Sequence, residues 1–257
     1  MSEVTIKLHR YDPSVDSEPH WEEYKVEKQP GEVVLDAVNY INHHIDPSLA
    51  VRWNCKAAHC GSCAAEINGI PKLMCKTRLD TLGDTVSVGP MRAFPLVKDL
   101  VSDVSSNYET ERKMTPFTPK ENAKEPWVID EIDVTRSQEF RKCIECFLCM
   151  DVCHVIRDHD TNYIGPRHVI KAASLDMHPM DAVDRSRELK EQEGLGYCNV
   201  TKCCQEVCPE HIRITDNAII PEKERAADKF YDPIIGSIIK RGRGKDNGKE
   251  VVRDGSE

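Results

Sequence analysis

The chain has 257 residues, a formal charge of −9 and 39% apolar residues, which leaves room for two small domains with thin cores. That charge argues against a nucleic-acid partner, which requires a clustered basic face. No run approaches the roughly 20 apolar residues needed to span a bilayer, and the polar opening MSEVTIKLHRYD lacks the apolar stretch of a signal peptide. Twelve cysteines are therefore expected in a reducing compartment, as metal ligands and not as disulfides. Bound metal would add folding free energy that thin cores do not supply.

Residues 3–10 (EVTIKLHR) and 21–27 (WEEYKVE) alternate apolar and polar side chains and read as half-buried strands joined through turn residues. After Pro30 and Gly31, VVLDAVNYINHHI carries Val33, Leu35, Val38, Ile41 and Ile45 at roughly helical spacing. Two strands followed by a helix open a β-grasp sheet. Next, Cys55, Cys60, Cys63 and Cys75 follow a C-x4-C-x2-C-x11-C spacing, which is the plant-type [2Fe–2S] signature. A compact loop there must present several backbone N–H groups and three sulfurs to an anionic cluster, and Gly61 leaves room where a Cβ would crowd it. Asn68-Gly69 marks a hairpin ahead of Cys75. His59 adjoins Cys60, but a Rieske centre needs two histidines and four cysteines already fill this site, so His59 reads as a loop residue.

One more strand, TVSVGP, is followed by FPLVKDLVSDVSSNYE, which reads as helix-like; residues 1–107 make the first expected domain. Residues 108–139, with Pro116, Pro119 and Pro126 among many charges, read as a linker or extended arm. A helical domain is expected over 140–237, with helices at 166–177 and 181–193, the second stopped by Gly194. Residues 238–257 read as a polar, disordered tail. Its basic residues Lys240, Arg241, Arg243 and Lys245 form a solvated charge run or a contact for an anionic membrane surface. The expected fold class is α+β, a β-grasp [2Fe–2S] ferredoxin-like domain followed by an α-helical dicluster ferredoxin-like domain.

Two cysteine runs organise the second half. CIECFLCMDVC places Cys143, Cys146, Cys149 and Cys153 at x2, x2 and x3 spacing. CNVTKCCQEVCP repeats that frame with Cys198, Cys204 and Cys208, and Thr201 stands where the second cysteine belongs. In the bacterial two-cluster pattern the fourth cysteine of each run ligates the other run's cluster. Crossed in this way, Cys143, Cys146, Cys149 and Cys208 make a complete four-thiolate site for [4Fe–4S]. Cys153, Cys198 and Cys204 are one thiolate short, which suits [3Fe–4S]. Cys203 lies outside the frame and reads as a small filler, with a ligand role as the alternative. Structural zinc would bring paired C-x2-C knuckles separated by a longer loop, and neither frame has that form. After Cys153, the crowd His154, Arg157, Asp158, His159 and Asp160 reads either as a solvated loop or as a proton relay beside the terminal cluster.

RWNCKAAHCGSCA, FPLVKDLVSDVSSNY and the Cys198-x5-Cys204-x3-Cys208-Pro209 string resemble the iron–sulfur subunit of succinate dehydrogenase and fumarate reductase, respiratory complex II, over about residues 3–235. The resemblance implies an electron wire. Electrons would leave FAD in a flavoprotein partner, enter at the Cys55–Cys75 centre, pass the four-iron site and leave the three-iron site for quinone. It further implies membrane-anchor subunits, with or without haem, that hold the chain peripherally at the cytoplasmic face or an equivalent reducing compartment. Three positions depart from the family: His154 replaces the usual proline, and Asp158 and Asn199 stand where a tryptophan and a histidine help form the quinone pocket. These three are the acceptor-side candidates. No G-x-G-x-x-G fingerprint is present, so no catalytic residue for succinate chemistry is expected in this chain. The alternatives are the iron–sulfur part of a soluble dehydrogenase or thiol-linked fumarate reductase, and, more remotely, a zinc-stabilised interaction module.

Overall fold

The computed structural model describes residues 2–159 and 161–232; Asp160, the tail at 238–257 and its basic run lie outside the described residues. Val4, Ile6 and Leu8 of β1 (Ser2–Arg10) share one face of the strand, as a period of two requires, and are at most 1% exposed. β2 (His20–Lys28) pairs antiparallel with β1, Ser2 opposite Lys28, and sends Tyr24 and Val26 to the same core. α1 (Val34–Tyr40), extended by a π-turn at Ile41–Ile45, buries Val34, Leu35, Val38 and Ile41. β3 (Ala64–Ile67) and β4 (Ile70–Leu73) form the hairpin around Asn68 and Gly69, both left-handed. β5 (Thr85–Gly89) runs parallel to β1 and antiparallel to β3. The resulting order, β2-β1-β5-β3-β4, with one helix packed on it is a β-grasp sheet.

The helix expected over 94–109 is instead a hairpin, β6 (Leu96–Lys98) with β7 (Val101–Ser102), followed by α2 (Ser105–Lys113). Asp99 is the reason. It takes a left-handed turn, φ 46°, and its carboxylate accepts from Arg10 Nε at 3.1 Å and from the N–H groups of Tyr11 and Ala50 at 2.9 and 2.7 Å. The same buried guanidinium reaches Glu22, Tyr24, Asp46 and Ser48. One arginine thus fixes the chain just ahead of the first cysteine loop.

The segment read as a linker carries the end of α2 and a further helix, α3 (Glu131–Gln138). Between them it crosses the helical half: Lys120 N–H donates to the Met180 carbonyl at 2.9 Å and Ala182 N–H to that of Thr118 at 2.8 Å. The second half is built from α4 (Leu148–Asp151), α5 (His154–Asp158), α6 (Pro166–Asp176), α7 (Ser186–Glu191), α8 (Cys203–Glu206) and α9 (Ile220–Phe230), the last led in by a π-turn at Ile214–Ile219. Pro166 sits in the first turn of α6, where its missing N–H costs nothing. Val169, Ile170, Ala172 and Ala173 make this helix the centre of the core. α7 begins at Ser186, not at 181, because Asp181 and Arg185 are engaged elsewhere. The Asp181 carboxylate accepts from the N–H groups of Val183 and Thr118. Arg185, 1% exposed, pairs with Asp176 at 2.8 Å and Asp181 at 2.9 Å. No helix among the described residues is long and apolar enough to cross a membrane.

Candidate iron–sulfur centres

In the first loop, Lys56, Ala58 and Gly61 are all left-handed, φ 55°, 58° and 70°. Alternating hands turn successive N–H groups toward one centre, the geometry of an anion-binding nest. Ala57 and His59 both donate their N–H to Cys55 Sγ at 3.4 Å, Cys55 N–H points to Cys60 Sγ at 3.5 Å, and Cys75 N–H to Cys63 Sγ at 3.5 Å. His59 thus enters this loop through its backbone. Cys63 leads into β3 and Cys75 follows β4, and Met74 N–H donating to the Cys63 carbonyl at 3.1 Å locks the two together. Burial raises the Cys60 thiol, but the Ser62 hydroxyl and nearby N–H groups outweigh it and bring the pKa down to about 6. Cys63, buried more deeply, is pushed up to about 12.

Gly61 also joins the two halves. A Cβ placed on it would lie 2.6 Å from Cys146 Cα and 2.7 Å from Cys146 Cβ. With its positive φ, the position admits only glycine without displacement of the backbone. The loop at Cys55–Cys63 therefore rests directly on the run 143–153.

The runs 143–153 and 198–208 repeat one backbone. Glu145 and Val200 have φ 56° and 62°, Phe147 and Lys202 have 61° and 65°, and α4 and α8 begin at the same offset, each capped by the second of these residues. In that register Thr201 falls where Cys146 stands. A small pocket is lined by Cys143, Cys146, Cys149 and Cys208, with Ile144, Ile170, Ile212 and Arg167 among the walls. The fourth cysteine of the second run is thereby gathered to the first three of the first run. Burial pushes the Cys146 thiol up to about 12, holds Cys149 well above its ordinary value and also raises Cys208. Such thiols keep their protons until a metal centre displaces them.

The buried Tyr163 hydroxyl lies beside the Cys198 sulfur, with Cys153 and Cys204 near it. Burial, then the neighbouring sulfurs, hold that phenol well above its ordinary pKa, so it stays protonated. Burial also pushes Cys204 up to about 12. Cys203 lies close enough for its charge to act on Cys153 and Cys204, and its Sγ is 3.4 Å from Thr201 Oγ1. Of the acceptor-side candidates, Asn199 and His154 are brought together: the Asn199 amide nitrogen lies 2.9 Å from His154 Nε2. The His154 and His159 rings stand edge to face at 6.5 Å. Arg157 reaches toward Glu66 of β3 at 4.0 Å and the Asp158 charge acts on Arg92, so these two face the first half of the chain.

Among the described residues no three His, Cys, Asp or Glu side chains are drawn together around a single metal-ion position. The residues fit polynuclear groups: thiols around a pocket, N–H donors aimed at sulfur, and two buried polar atoms, one beside sulfur and one without an acceptor. Those atoms, Tyr163 Oη and Arg167 Nε, were not singled out in the sequence. The signal for Arg167 was its helical phase, three residues before the buried Ile170.

These features define an iron–sulfur protein with a β-grasp half and a helical half. Residues 5–109 match the family model of a 2Fe-2S iron-sulfur cluster binding domain, and residues 139–212 match that of a 4Fe-4S dicluster domain. The fumarate reductase iron-sulfur subunit of Haemophilus influenzae is 31% identical over 225 residues, 81% of this chain and 88% of that one. The CoM/CoB fumarate reductase of Methanothermobacter marburgensis has a subunit that is 34% identical over 87% of this chain but 44% of its own length. Among solved structures, a chain of the Mycobacterium smegmatis Sdh1 complex in the apo form superposes with a TM-score of 0.86 at 53% identity, covering 90% of this chain and 98% of that one. The chain belongs to the family of succinate dehydrogenase and fumarate reductase iron–sulfur subunits, the electron-transfer subunits of complex II.

Proposed function

We propose that this chain relays electrons through three centres held by its own cysteines. Cys55, Cys60, Cys63 and Cys75 hold [2Fe–2S]; Cys143, Cys146, Cys149 and Cys208 hold [4Fe–4S]; Cys153, Cys198 and Cys204 hold [3Fe–4S]. The observation that carries this reading is the repeated backbone of the two runs, which sets Thr201 in the position of Cys146 and leaves the second site a thiolate short. Each centre, when bound, stores and passes one electron at a time. The protein's part is to fix the order. Gly61 packs the first loop on Cys146, so the first and second centres are neighbours, and the crossed ligation by Cys153 and Cys208 ties the second to the third.

The Cys55 loop, with exposed Cys55 and Trp53, is the side offered to an FAD-bearing flavoprotein partner. The Cys198 side, with exposed Asn199 and Thr201, faces an anchor subunit and quinone on the cytoplasmic side of a membrane. There Asn199, at the position of the family's pocket histidine, pairs with His154, and the two offer one amide and one imidazole to the acceptor.

The likeness to part of a CoM/CoB fumarate reductase favours a second reading, in which the partner is a soluble thiol-linked enzyme. Purification with native partners separates the two: co-purifying membrane subunits support the first reading, and their absence supports the second. The ligand reading is tested by iron and sulfide analysis with EPR of the oxidised protein. A three-iron signal is expected, and four irons at both cuboidal sites would overturn the assignment of Thr201.

A further inference from the structure

Arg167 is 4% exposed and lines the cavity ringed by Cys143, Cys146, Cys149 and Cys208. Its position is electrostatically awkward. It occupies the first turn of α6, an eleven-residue helix with no acidic residue in that turn, where the backbone dipole disfavours a cation. Nη2 is engaged by Glu145 at 2.5 Å and Glu111 at 3.5 Å. Nε, by contrast, is buried with no hydrogen-bond partner in the protein. A buried charged donor left unmade is costly, and native structures rarely keep one without a reason. Glu145 belongs to the cysteine run itself, between Cys143 and Cys146, so the guanidinium is strapped to the loop that forms the cavity.

We propose that Arg167 is a positioning and tuning residue for the four-cysteine centre, its Nε–H donating to a sulfur there and its charge offset in part by Glu145 and Glu111. The proposal rests on the ligand reading above. Reduction adds one electron to the bound group and makes it more negative. A guanidinium in contact, away from solvent, stabilises that reduced state and raises the potential. The two carboxylates act in the opposite sense.

The test is redox titration followed by EPR on the native complex and on its variants. Arg167→Gln is expected to lower the four-iron midpoint by at least tenfold in the one-electron equilibrium constant, about 59 mV, while the [2Fe–2S] and three-iron midpoints move less. Arg167→Lys, which keeps the charge but loses the Nε donor, should fall between. Glu145→Gln should shift the same midpoint upward. A purely structural strap would not give opposite signs for the two partners. If Arg167→Gln fails to retain iron, Glu145→Gln decides the matter, and an unchanged or lowered midpoint there overturns the proposal. A four-iron signal present and unmoved in Arg167→Gln overturns it as well. Absence of any four-iron signal in the unsubstituted complex overturns the ligand reading first, and this proposal with it.

Discussion

The runs 143–153 and 198–208 turn the chain in the same way, yet one is enclosed and the other stays open to solvent. Around the first, Phe147, Leu148 and Cys149 are buried and Arg167 brings a charge to the wall. Around the second, Asn199, Thr201 and Lys202 are exposed, and the buried polar neighbour is the neutral phenol of Tyr163. The shared backbone is not cheap. Val200 is β-branched at φ 62°, a conformation that costs of order 1–3 kcal/mol unless its surroundings impose it. On the proposed ligand reading, keeping that turn in both runs while changing one ligand and one polar neighbour separates two jobs: the backbone would set where sulfur sits, and side chains would set cluster type and potential. An enclosed site suits a relay, and an open one suits an outlet.

The largest expected effect comes from erasing the difference in ligand count. Thr201→Cys should let the outer site take a fourth iron, with loss of the oxidised three-iron EPR signal and a gain of iron by metal analysis. An unchanged spectrum would sink the alignment of Thr201 with Cys146. Next is Gly61→Ala, which attacks the contact between the first loop and the first run. A methyl group at φ 70°, 2.6 Å from Cys146 Cα, must displace backbone. We expect about 2 kcal/mol of destabilisation, seen as a lowered Tm, with the [2Fe–2S] and [4Fe–4S] signals perturbed and the three-iron signal spared.

The cysteine frames were legible in the sequence because ligand spacing is local: x4-x2-x11 and x2-x2-x3 are constraints on a few consecutive turns. The β-grasp strands were legible for the same reason, since Val4, Ile6 and Leu8 alternate within one segment. What escaped was set at long range. The apolar spacing of 94–109 suggested a helix, but Asp99 answers to Arg10 and Ala50, far away in the chain. The start of α7 is decided by Arg185 reaching Asp176 and the carbonyls of Thr115 and Pro116. Arg167 and Tyr163 looked like ordinary polar residues until the fold buried them against sulfur. Periodicity shows which face of a helix is buried, not what lies across from it.

A smaller effect probes the polar neighbour of the outer site. Tyr163→Phe removes only the buried hydroxyl that lies beside the Cys198 sulfur. If that hydroxyl donates to a sulfur of the outer centre, its loss should lower the three-iron midpoint by about one hydrogen bond, ~1 kcal/mol, less than a tenfold change in the equilibrium constant. The four-iron midpoint should stay put, the converse of Arg167→Gln.

The smallest expected effect concerns Cys203. Cys203 has Leu148 as its counterpart in the first run, a residue that is 1% exposed and only fills space. By that equivalence Cys203 fills space too, although its sulfur lies beside Thr201 and acts on Cys153 and Cys204. Cys203→Ser should therefore keep all three EPR signals and the full iron content, with a stability loss of about 1 kcal/mol for the more polar side chain. Loss of the three-iron signal in this variant would make Cys203 a ligand, and the correspondence between the two runs would then end at their backbones.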